Sequence, residues 1–240
     1  MSEVQLLLLR HGEVASHRGD VPVTDAGLAH AERTGKAIGA RNDGAISVLF
    51  GGTRRTRETA EAIVRGVGDP GRVDGPTDSF ALRNPDMYVA GTRVNMVSSA
   101  AFLAEQVAGM TPAQVEANEW WTTFFHAPDR IGWWLTQDDP PGENSRDVAR
   151  RIQRFARSCS DPGPHRGRLL VCVTHSPLLR AILSAVDGQD PGEPPFVTGA
   201  LIQISSTGQL NTSPYDPSTT DPPSSSDRKQ PHATRARHAH

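Results

Sequence analysis

Three short apolar segments, each followed by a polar cluster, constrain the fold of this chain more than any other feature. They are Val4 to Leu9, Ile46 to Phe50 and Leu169 to Val173. Apolar runs of this length are typical of strands that are buried on both faces of a parallel sheet. A helical pattern follows each run, so the sequence predicts an α/β fold: a three-layer sandwich whose mostly parallel central sheet is flanked by helices. Leu201 to Ser205 is predicted to be the last strand.

The chain is predicted to consist of one domain, residues 1–210, and a polar tail, residues 211–240. From Asn211 onward Ser, Thr, Pro and Asp dominate, and Arg, Lys and His follow. Such a segment has too few apolar residues to offset the entropy of ordering, so we expect it to be disordered. Within the domain, residues 84–139 break the strand–helix alternation and are predicted to form a helical cap over the site. Its aromatic side chains are expected mainly to fill the cap's own core.

The overall charge and hydropathy exclude several classes of partner. The net charge is −2 and the sequence pI is about 6.5, so the chain has no global basic field that would attract nucleic acid or an anionic membrane. No apolar stretch reaches the roughly 18 residues that a membrane span needs, and the N-terminal segment lacks the features of a signal peptide. We therefore predict a cytoplasmic protein whose anionic substrate is attracted by a local cluster of cations.

The polar clusters at the strand ends contain the residue types that phosphoryl transfer requires. Arg10 and His11 follow the first predicted strand. Arg55 lies near the start of the second helix, and His175 follows the third strand. The carboxyl ends of parallel strands meet at one edge of a sheet, where ligands bind. A neutral imidazole can attack phosphorus, and the planar fork of arginine pairs with two phosphate oxygens, so these four residues form the candidate site.

Five segments along the chain match, in order, the pattern of a known family. They are Leu9-Arg10-His11-Gly12-Glu13, Thr24-Asp25-Ala26-Gly27, Arg55-Thr56-Arg57-Glu58-Thr59-Ala60, Pro141-Gly142-Glu143-Asn144-Ser145 and Val173-Thr174-His175. Together they resemble the histidine phosphatase superfamily, the phosphoglycerate-mutase-like proteins of branch 1, over Gln5 to about Val186. The resemblance implies that His11 is the phosphorylated nucleophile. It also implies that Arg10, Arg55 and His175 bind the phosphoryl group and stabilise its transition state.

The resemblance also implies further contacts around the phosphate. Thr24 is expected to lie near the phosphate pocket. His17 stands where many relatives have an asparagine that touches phosphate, and a histidine can still donate a hydrogen bond there. The backbone N–H of Ser176, at a helix start, is predicted to add another anion contact.

The general acid that the resemblance implies is absent from its expected position. In this branch a glutamate follows a Leu-Arg pair before the cap, but here Leu82-Arg83 is followed by Asn84. An amide cannot protonate a leaving alkoxide, a contribution typically worth about 10²–10⁴-fold in rate. Asp86 is the predicted substitute, and Asp138 or Asp139 is a weaker candidate. Arg83 and Asn84 remain candidate ligands of the substrate or its phosphate.

These features favour a metal-independent phosphatase without a cofactor that acts on a small-molecule phosphomonoester, such as a sugar, a nucleotide or a specialised metabolite. Two alternatives stay open. One is a mutase-like transfer of phosphate between positions of one substrate. The other is a non-catalytic module that binds a phosphorylated ligand, which Asn84 motivates and the presence of both histidines opposes. The sequence does not fix the oligomeric state, and a homodimer is one option.

Overall fold

The computed structural model of the chain describes residues 4–16 and 19–218. Strands and helices alternate at both ends of the described chain, and a mainly helical segment lies between them. The strands are β1 (Val4–Arg10), β2 (Ile46–Phe50), β3 (Val73–Asp78), β4 (Met87–Val89), β5 (Thr92–Val94), β6 (Leu169–Thr174), β7 (Gly199–Ile204) and β8 (Leu210–Tyr215). The helices are α1 (Asp25–Arg41), α2 (Arg54–Val67), α3 (Ala100–Ala104), α4 (Pro112–Glu116), α5 (Glu119–His126), α6 (Arg130–Leu135), α7 (Ser145–Ser158) and α8 (Ser176–Asp187), with a 3₁₀ turn at Phe80–Leu82.

In the described part of the chain, six strands form one sheet in the order β3-β2-β6-β1-β7-β8. The pairs among β3, β2, β6 and β1 are parallel, whereas β7 and β8 are antiparallel to their neighbours. The α/β fold with a mostly parallel sheet is therefore confirmed. The sequence did not indicate β3, because this edge strand is largely exposed and mostly polar and so lacks a buried apolar run.

Successive side chains of β1 point into two different cores, as the two-residue period of a strand requires. Leu7 and Leu9 pack with buried residues of α1 and α2 on one face of the sheet. Leu6 and Leu8 pack with buried residues of α7 and α8 on the other face. Both faces of the sheet are thus covered by helices, which accounts for the continuous apolar run.

Local signals begin and end the two helices that frame the site. Helix α2 begins after Thr53, whose hydroxyl accepts a hydrogen bond from the backbone N–H of Thr56 in a capping box, and ends at Gly68 with φ of 72°. Helix α8 has Pro177 in its first turn and ends at Gly188 with φ of 70°. These caps fix where each helix starts relative to the strand end before it.

The segment between the 3₁₀ turn and α7 is the cap. It consists of the antiparallel hairpin β4–β5 followed by the short helices α3 to α6, so it is less purely helical than the sequence suggested. Trp121, Phe124 and Trp134 are buried, and Trp120 stacks on Phe124 with ring centroids 5.5 Å apart. These aromatic side chains fill a core, as the pattern predicted, but that core continues into the one between the sheet, α7 and α8.

The predicted boundary of the disordered tail at residue 211 is wrong. Residues 210–215 form β8, which pairs with β7 from Leu210 to Tyr215. Tyr215 is 3% exposed and belongs to the core that contains Leu7. An edge strand of polar residues needs one backbone partner and little apolar surface, so composition alone does not reveal it. The rest of the predicted tail, from residue 219, lies outside the described residues.

Two observations bear on the surroundings of the chain. No helix among the described residues is both long enough and apolar enough to span a membrane. Cys159 and Cys172 are both free and buried, and burial raises the pKa of the Cys159 thiol to about 11.

Candidate active site

The candidate site lies at the edge of the sheet where β1, β2 and β6 end. The backbone N–H of His11 donates to the Thr174 carbonyl at 3.0 Å, and that of Gly51 donates to the Val173 carbonyl at 3.1 Å. These bonds hold the ends of the three parallel strands side by side. His175 follows β6 directly, so the two histidines of the predicted site face each other with ring centroids 5.5 Å apart.

The environment of His11 fixes which nitrogen carries its proton. Nδ1 lies 2.8 Å from the Gly12 carbonyl oxygen, and because a carbonyl can only accept, Nδ1 is the donor. In a neutral ring this leaves the lone pair on Nε2. The side chain is 4% exposed and also packs near Phe196, at 6.0 Å between ring centroids. His11 therefore presents a nucleophilic nitrogen on a ring whose orientation is fixed.

Gly12 makes this arrangement compatible with the neighbouring helices. Its N–H donates to the Thr59 hydroxyl at 2.8 Å, and that hydroxyl donates to the Arg55 carbonyl at 2.7 Å. A Cβ atom at residue 12 would lie 2.9 Å from a methyl carbon of Val23 and 3.2 Å from the Gly27 carbonyl oxygen. The close approach thus requires glycine and couples the loop after His11 to α1 and α2.

His175 is a buried neutral imidazole. Its Nδ1 lies 3.4 Å from a terminal nitrogen of Arg55, and the ring also forms a hydrogen bond with the backbone of Gly51. The pKa of His175 lies well below its ordinary value because burial disfavours the imidazolium, and the charges of Arg55 and His11 add to this effect. Its Nε2 is buried and has no hydrogen-bond partner among the described residues. This nitrogen is therefore a buried polar atom that a ligand in the cleft can contact.

Arg10 is held by the loop between α8 and β7. It donates to the Pro194 carbonyl at 2.6 Å, pairs with Glu193 at 2.6 Å, and stacks over the ring of Phe196 at 4.1 Å. Burial lowers its pKa, and the charge of Glu193 opposes that shift. The guanidinium stays charged at neutral pH, because even a lowered arginine pKa is far above 7.

Arg55 contributes a second cation from the first turn of α2. Burial lowers its pKa, Asp20 opposes the shift, and the positive charge of Arg10 adds to it. Its Nε is buried and has no hydrogen-bond partner among the described residues, as is also true of the Nε of Arg10. Two guanidinium groups with unused N–H donors therefore meet beside two imidazoles, an arrangement suited to the oxygens of a phosphoryl group.

A cleft of about 740 Å³ opens over these four side chains. On its sheet side it is lined by Arg10, His11, Asp20, Arg55, Asn84, His175, Ser176 and Glu193, and on its cap side by Met96, Val97, Phe102, Glu105, Phe124, Asp129, Arg130 and Ile131. The floor is thus cationic and the opposite wall is mixed apolar and polar. This is the composition of a site that holds a phosphate at the bottom and an organic group above it.

The structure brings Arg10, His11, Arg55 and His175 together, as the sequence predicted, and places Asn84 at the same cleft. Ser176 also lines it, and its hydroxyl donates to Glu193 at 2.5 Å. Among the described residues no group of three or more His, Cys, Asp or Glu is arranged to hold a metal ion.

The structure contradicts the assignment of Asp86 as proton donor. Asp86 is absent from the cleft lining, and its carboxylate forms ion pairs with Arg83 and Arg93. Although burial opposes it, hydrogen bonds and charge from these arginines lower the pKa of Asp86 to about 2. A carboxyl group that is ionised throughout the neutral range cannot supply a proton. Asp138 is also unsuitable, because it is exposed and pairs with Arg146.

Two predicted phosphate ligands lie elsewhere, and a third cannot be placed. Arg83 donates to Asp86 at 3.1 Å and to the Phe80 carbonyl at 2.8 Å, so its guanidinium stabilises the start of the cap. Thr24 caps α1 by accepting from the Gly27 N–H at 3.0 Å. Neither residue lines the cleft. His17 lies outside the described residues.

The resemblance segment at Pro141–Ser145 has a structural role. Glu143 forms two hydrogen bonds of 3.0 Å with Arg151 of α7, and it accepts from the backbone N–H of Asp86 at 2.8 Å. Its carbonyl accepts from the indole N–H of Trp134 at 3.1 Å. The segment therefore fastens the cap to the sheet domain.

Sequence reasoning missed Glu193, which contacts two residues of the cleft floor. It lies on the irregular loop between α8 and β7, and no motif marks it. Asp20 was missed as well; its carboxylate accepts from the backbone N–H of Arg54 at 2.7 Å and lies at the cleft beside Arg55. Both acidic residues lie on loops that fold back over arginines. The sequence around such a residue does not distinguish it from a solvent-exposed charge.

Comparisons with known proteins agree with this geometry. The family model described as the histidine phosphatase superfamily, branch 1, matches residues 6–75 and 103–208. No curated protein sequence is significantly similar to the chain. The fold resembles a mycobacterial glucosyl-3-phosphoglycerate phosphatase with a TM-score of 0.57 and 19% identity, over 89% of this chain and 99% of that one.

Two further solved structures share the fold. A phosphoglycerate mutase from Bacillus anthracis superposes with a TM-score of 0.58 and 15% identity, over 90% of this chain and 95% of the mutase. A mycobacterial protein called hydrolase 1 superposes with a TM-score of 0.57 and 18% identity, over 88% of this chain and 97% of that one.

Proposed function

This chain belongs to branch 1 of the histidine phosphatase superfamily, and from that premise we propose that it hydrolyses a small-molecule phosphomonoester through a phosphohistidine on His11. Membership and fold make it a phosphatase or a phosphotransferase. Hydrolysis, the small-molecule substrate and the roles of individual residues are the proposal.

The observation that carries the proposal is the orientation of the His11 ring. Its Nδ1 faces the Gly12 carbonyl, so in the neutral ring Nε2 is the unprotonated nitrogen and needs no prior loss of a proton to attack phosphorus. A ring held this way needs no reorganisation at the moment of attack. A histidine that only stabilised the fold would not need this ring orientation in combination with two arginines and a second imidazole beside it.

The remaining three residues suit the charge that develops during transfer. Arg10 and Arg55 supply positive charge to the equatorial phosphoryl oxygens, and His175 contacts the same group through its Nε2. Burial holds the pKa of His175 well below its ordinary value, so the two arginines carry the positive charge of the site. In the proposed site, side chains of the protein itself neutralise the negative charge of the phosphoryl group.

The shape of the cleft supports a small organic substrate. The cap closes one side of it with Phe102, Ile131 and Val97, while Glu105 and Arg130 add polar groups to the same wall. Such a wall can contact an organic group with both apolar and hydroxyl-bearing surface, as a sugar or nucleoside has. The phosphatase among the structures that share this fold acts, by its name, on a phosphorylated sugar derivative; that likeness supports the substrate class at the level of a proposal.

The test of the proposed function uses p-nitrophenyl phosphate, whose leaving group needs little protonation. We expect the purified full chain to hydrolyse it and His11→Ala to lose at least about 10³-fold in kcat/KM. Rapid quenching in alkali, followed by mass spectrometry, should find one phosphoryl group on His11 of the wild type. Circular dichroism and the melting temperature serve as the folding control for the variant.

Three outcomes would count against this function. Turnover that persists in folded His11→Ala would rule out the phosphohistidine. Binding of inorganic phosphate without turnover of any phosphomonoester would favour the non-catalytic module instead. Transfer of the trapped phosphoryl group to a second position of a sugar phosphate, in preference to water, would indicate the mutase-like alternative.

A further inference from the structure

The proposed reaction needs a proton donor for the leaving oxygen, and neither predicted position supplies one. Asn84 lines the cleft but carries an amide, and Asp86 is held by two arginines outside it. A donor must reach the outer side of the bound phosphoryl group, opposite His11, because attack and departure occur in line. The carboxylates that line the cleft among the described residues are Asp20, Glu105, Asp129 and Glu193.

Three of these four have no hydrogen bond or ion pair with Arg10, Arg55 or His175 in the described chain. Asp129 uses both oxygens on Arg180, at 2.9 and 2.5 Å, and these bonds lower its pKa. Asp20 is bonded to the backbone N–H of Arg54, a group that stays in place when a ligand arrives. Glu105 belongs to the cap and has no hydrogen bond or ion pair with a floor residue in the described chain.

Glu193 touches the floor directly. Its Oε1 lies 2.6 Å from Arg10, and its Oε2 accepts from the Ser176 hydroxyl at 2.5 Å. The carboxylate thus occupies the position on Arg10 that a phosphoryl oxygen would otherwise take. Its side chain is 48% exposed, so it can rotate within the open cleft when a substrate displaces it.

The loop that carries Glu193 is anchored, although it has no regular structure. Arg180 of α8 is 1% exposed and donates to Asp190 at 2.9 Å through its Nε. The same guanidinium lies 3.6 Å from Glu193. A buried arginine therefore holds the loop over the cleft floor and limits how far a displaced Glu193 can move.

We propose that Glu193 is the proton donor to the leaving group, acting in place of the glutamate that Asn84 replaces; this inference rests on the proposed phosphatase function. A bound phosphomonoester takes over Arg10, so Glu193 exchanges a cationic neighbour for an anionic one. The displaced side chain then lies beside Ser176, at the edge of the phosphate site, where it can turn toward the leaving oxygen.

The proton balance closes over the two half-reactions. In the first, the lone pair of His11 Nε2 forms the P–N bond, the ester P–O bond breaks, and the Glu193 proton moves to the leaving oxygen. The products are the free alcohol, phosphohistidine and a Glu193 carboxylate. In the second, that carboxylate takes a proton from the attacking water, a new P–O bond forms, and the P–N bond breaks to release inorganic phosphate.

The experiment compares an alkyl phosphate, glycerol 2-phosphate, with the aryl substrate p-nitrophenyl phosphate. We expect Glu193→Gln to lose about 10²-fold or more in kcat on the alkyl substrate and to change less than about fivefold on the aryl one. Glu193→Asp, which keeps the carboxyl group, should recover part of the alkyl turnover. Inorganic phosphate should inhibit Glu193→Gln at least as strongly as the wild type, because the variant lacks a charged competitor for Arg10.

Matched variants separate this role from a structural one. Glu105→Gln, at the opposite wall, should change alkyl and aryl turnover alike, and Asp187→Asn, an exposed carboxylate outside the cleft, should change neither. Equal losses on both substrates in Glu193→Gln, or an alkyl-selective loss in Glu105→Gln instead, would overturn the assignment. If the wild type hydrolyses the aryl phosphate but no alkyl phosphate, the assignment of Glu193 is overturned, whereas the proposed phosphatase function still stands. Absence of aryl turnover and of phosphohistidine would remove the proposed function itself.

Discussion

The floor of the cleft and its rim are built in different ways. On the floor, Arg10 ends a strand and His11 and His175 each follow a strand directly, while Arg55 sits in the first turn of a helix that begins after a three-residue turn. On the rim, Glu193, Asp20 and Asn84 lie on segments without regular structure. Parallel strands place everything at their carboxyl ends at one edge. The floor is therefore fixed by the sheet, whereas the rim depends on how each loop folds back.

The first way to test this contrast compares two neighbouring arginines of α2. We expect Arg55→Lys to lose about 10²–10³-fold in kcat/KM on p-nitrophenyl phosphate, because an ammonium cannot reproduce the forked donors with which, in the proposed mechanism, Arg55 binds the phosphoryl oxygens. Arg54→Lys is the matched control: its side chain is 46% exposed and pairs with Glu58, so we expect a change below about threefold. Similar losses of kcat/KM in both variants would show that activity does not depend on Arg55 more than on its exposed neighbour.

The second test addresses the rigidity of the floor. Gly12→Ala should lower the free energy of unfolding by about 1–3 kcal/mol, because the added Cβ meets Val23 and the Gly27 carbonyl. Gly44→Ala, where the nearest atom to a new Cβ is 3.6 Å away, should shift it by less than about 0.5 kcal/mol. Urea denaturation at pH 7 measures both. If Gly12→Ala is as well tolerated as its control, the loop after β1 is not closely packed.

The third test concerns Asp86, at the base of the cap. We expect Asp86→Asn to leave alkyl and aryl turnover within about twofold, because its carboxylate lies outside the cleft. It should cost about 1–2 kcal/mol of stability at pH 7 through the lost pairs with Arg83 and Arg93.

The pH dependence of that cost has a defined sign. The pKa of Asp86 is lowered from 3.8 to about 2 in the folded chain, so its contribution is complete above the unfolded value. It is lost as the pH falls from 3.8 toward 2, and the wild type and Asp86→Asn should converge in stability there. A loss of turnover confined to alkyl phosphates in this variant would return Asp86 to the role of proton donor and contradict the assignment of Glu193.

The sequence predicted the floor well because its signals are short. An apolar run predicts a buried strand, and the residues at its end are then predicted to lie at the edge of the sheet. This reasoning is sufficient to place Arg10, His11 and His175. The same reasoning failed for β8, whose polar residues are held by backbone pairing to β7 and by one buried tyrosine. It also failed for Asp86. This residue is only two positions from Asn84 in the sequence, but its side chain lies outside the cleft.

The sequence by itself determined the α/β fold, the family and the four residues that meet beneath the cap. Each of these follows from patterns that span a few residues and from the rule that parallel strands share an edge. The tertiary structure decided which carboxylate contacts the floor of the cleft. Arg10 bonds to a carbonyl 184 positions away, and Glu193 comes with that loop. A contact between segments so far apart depends on the packing of α8 and the anchoring of its loop by Arg180, which no local pattern encodes.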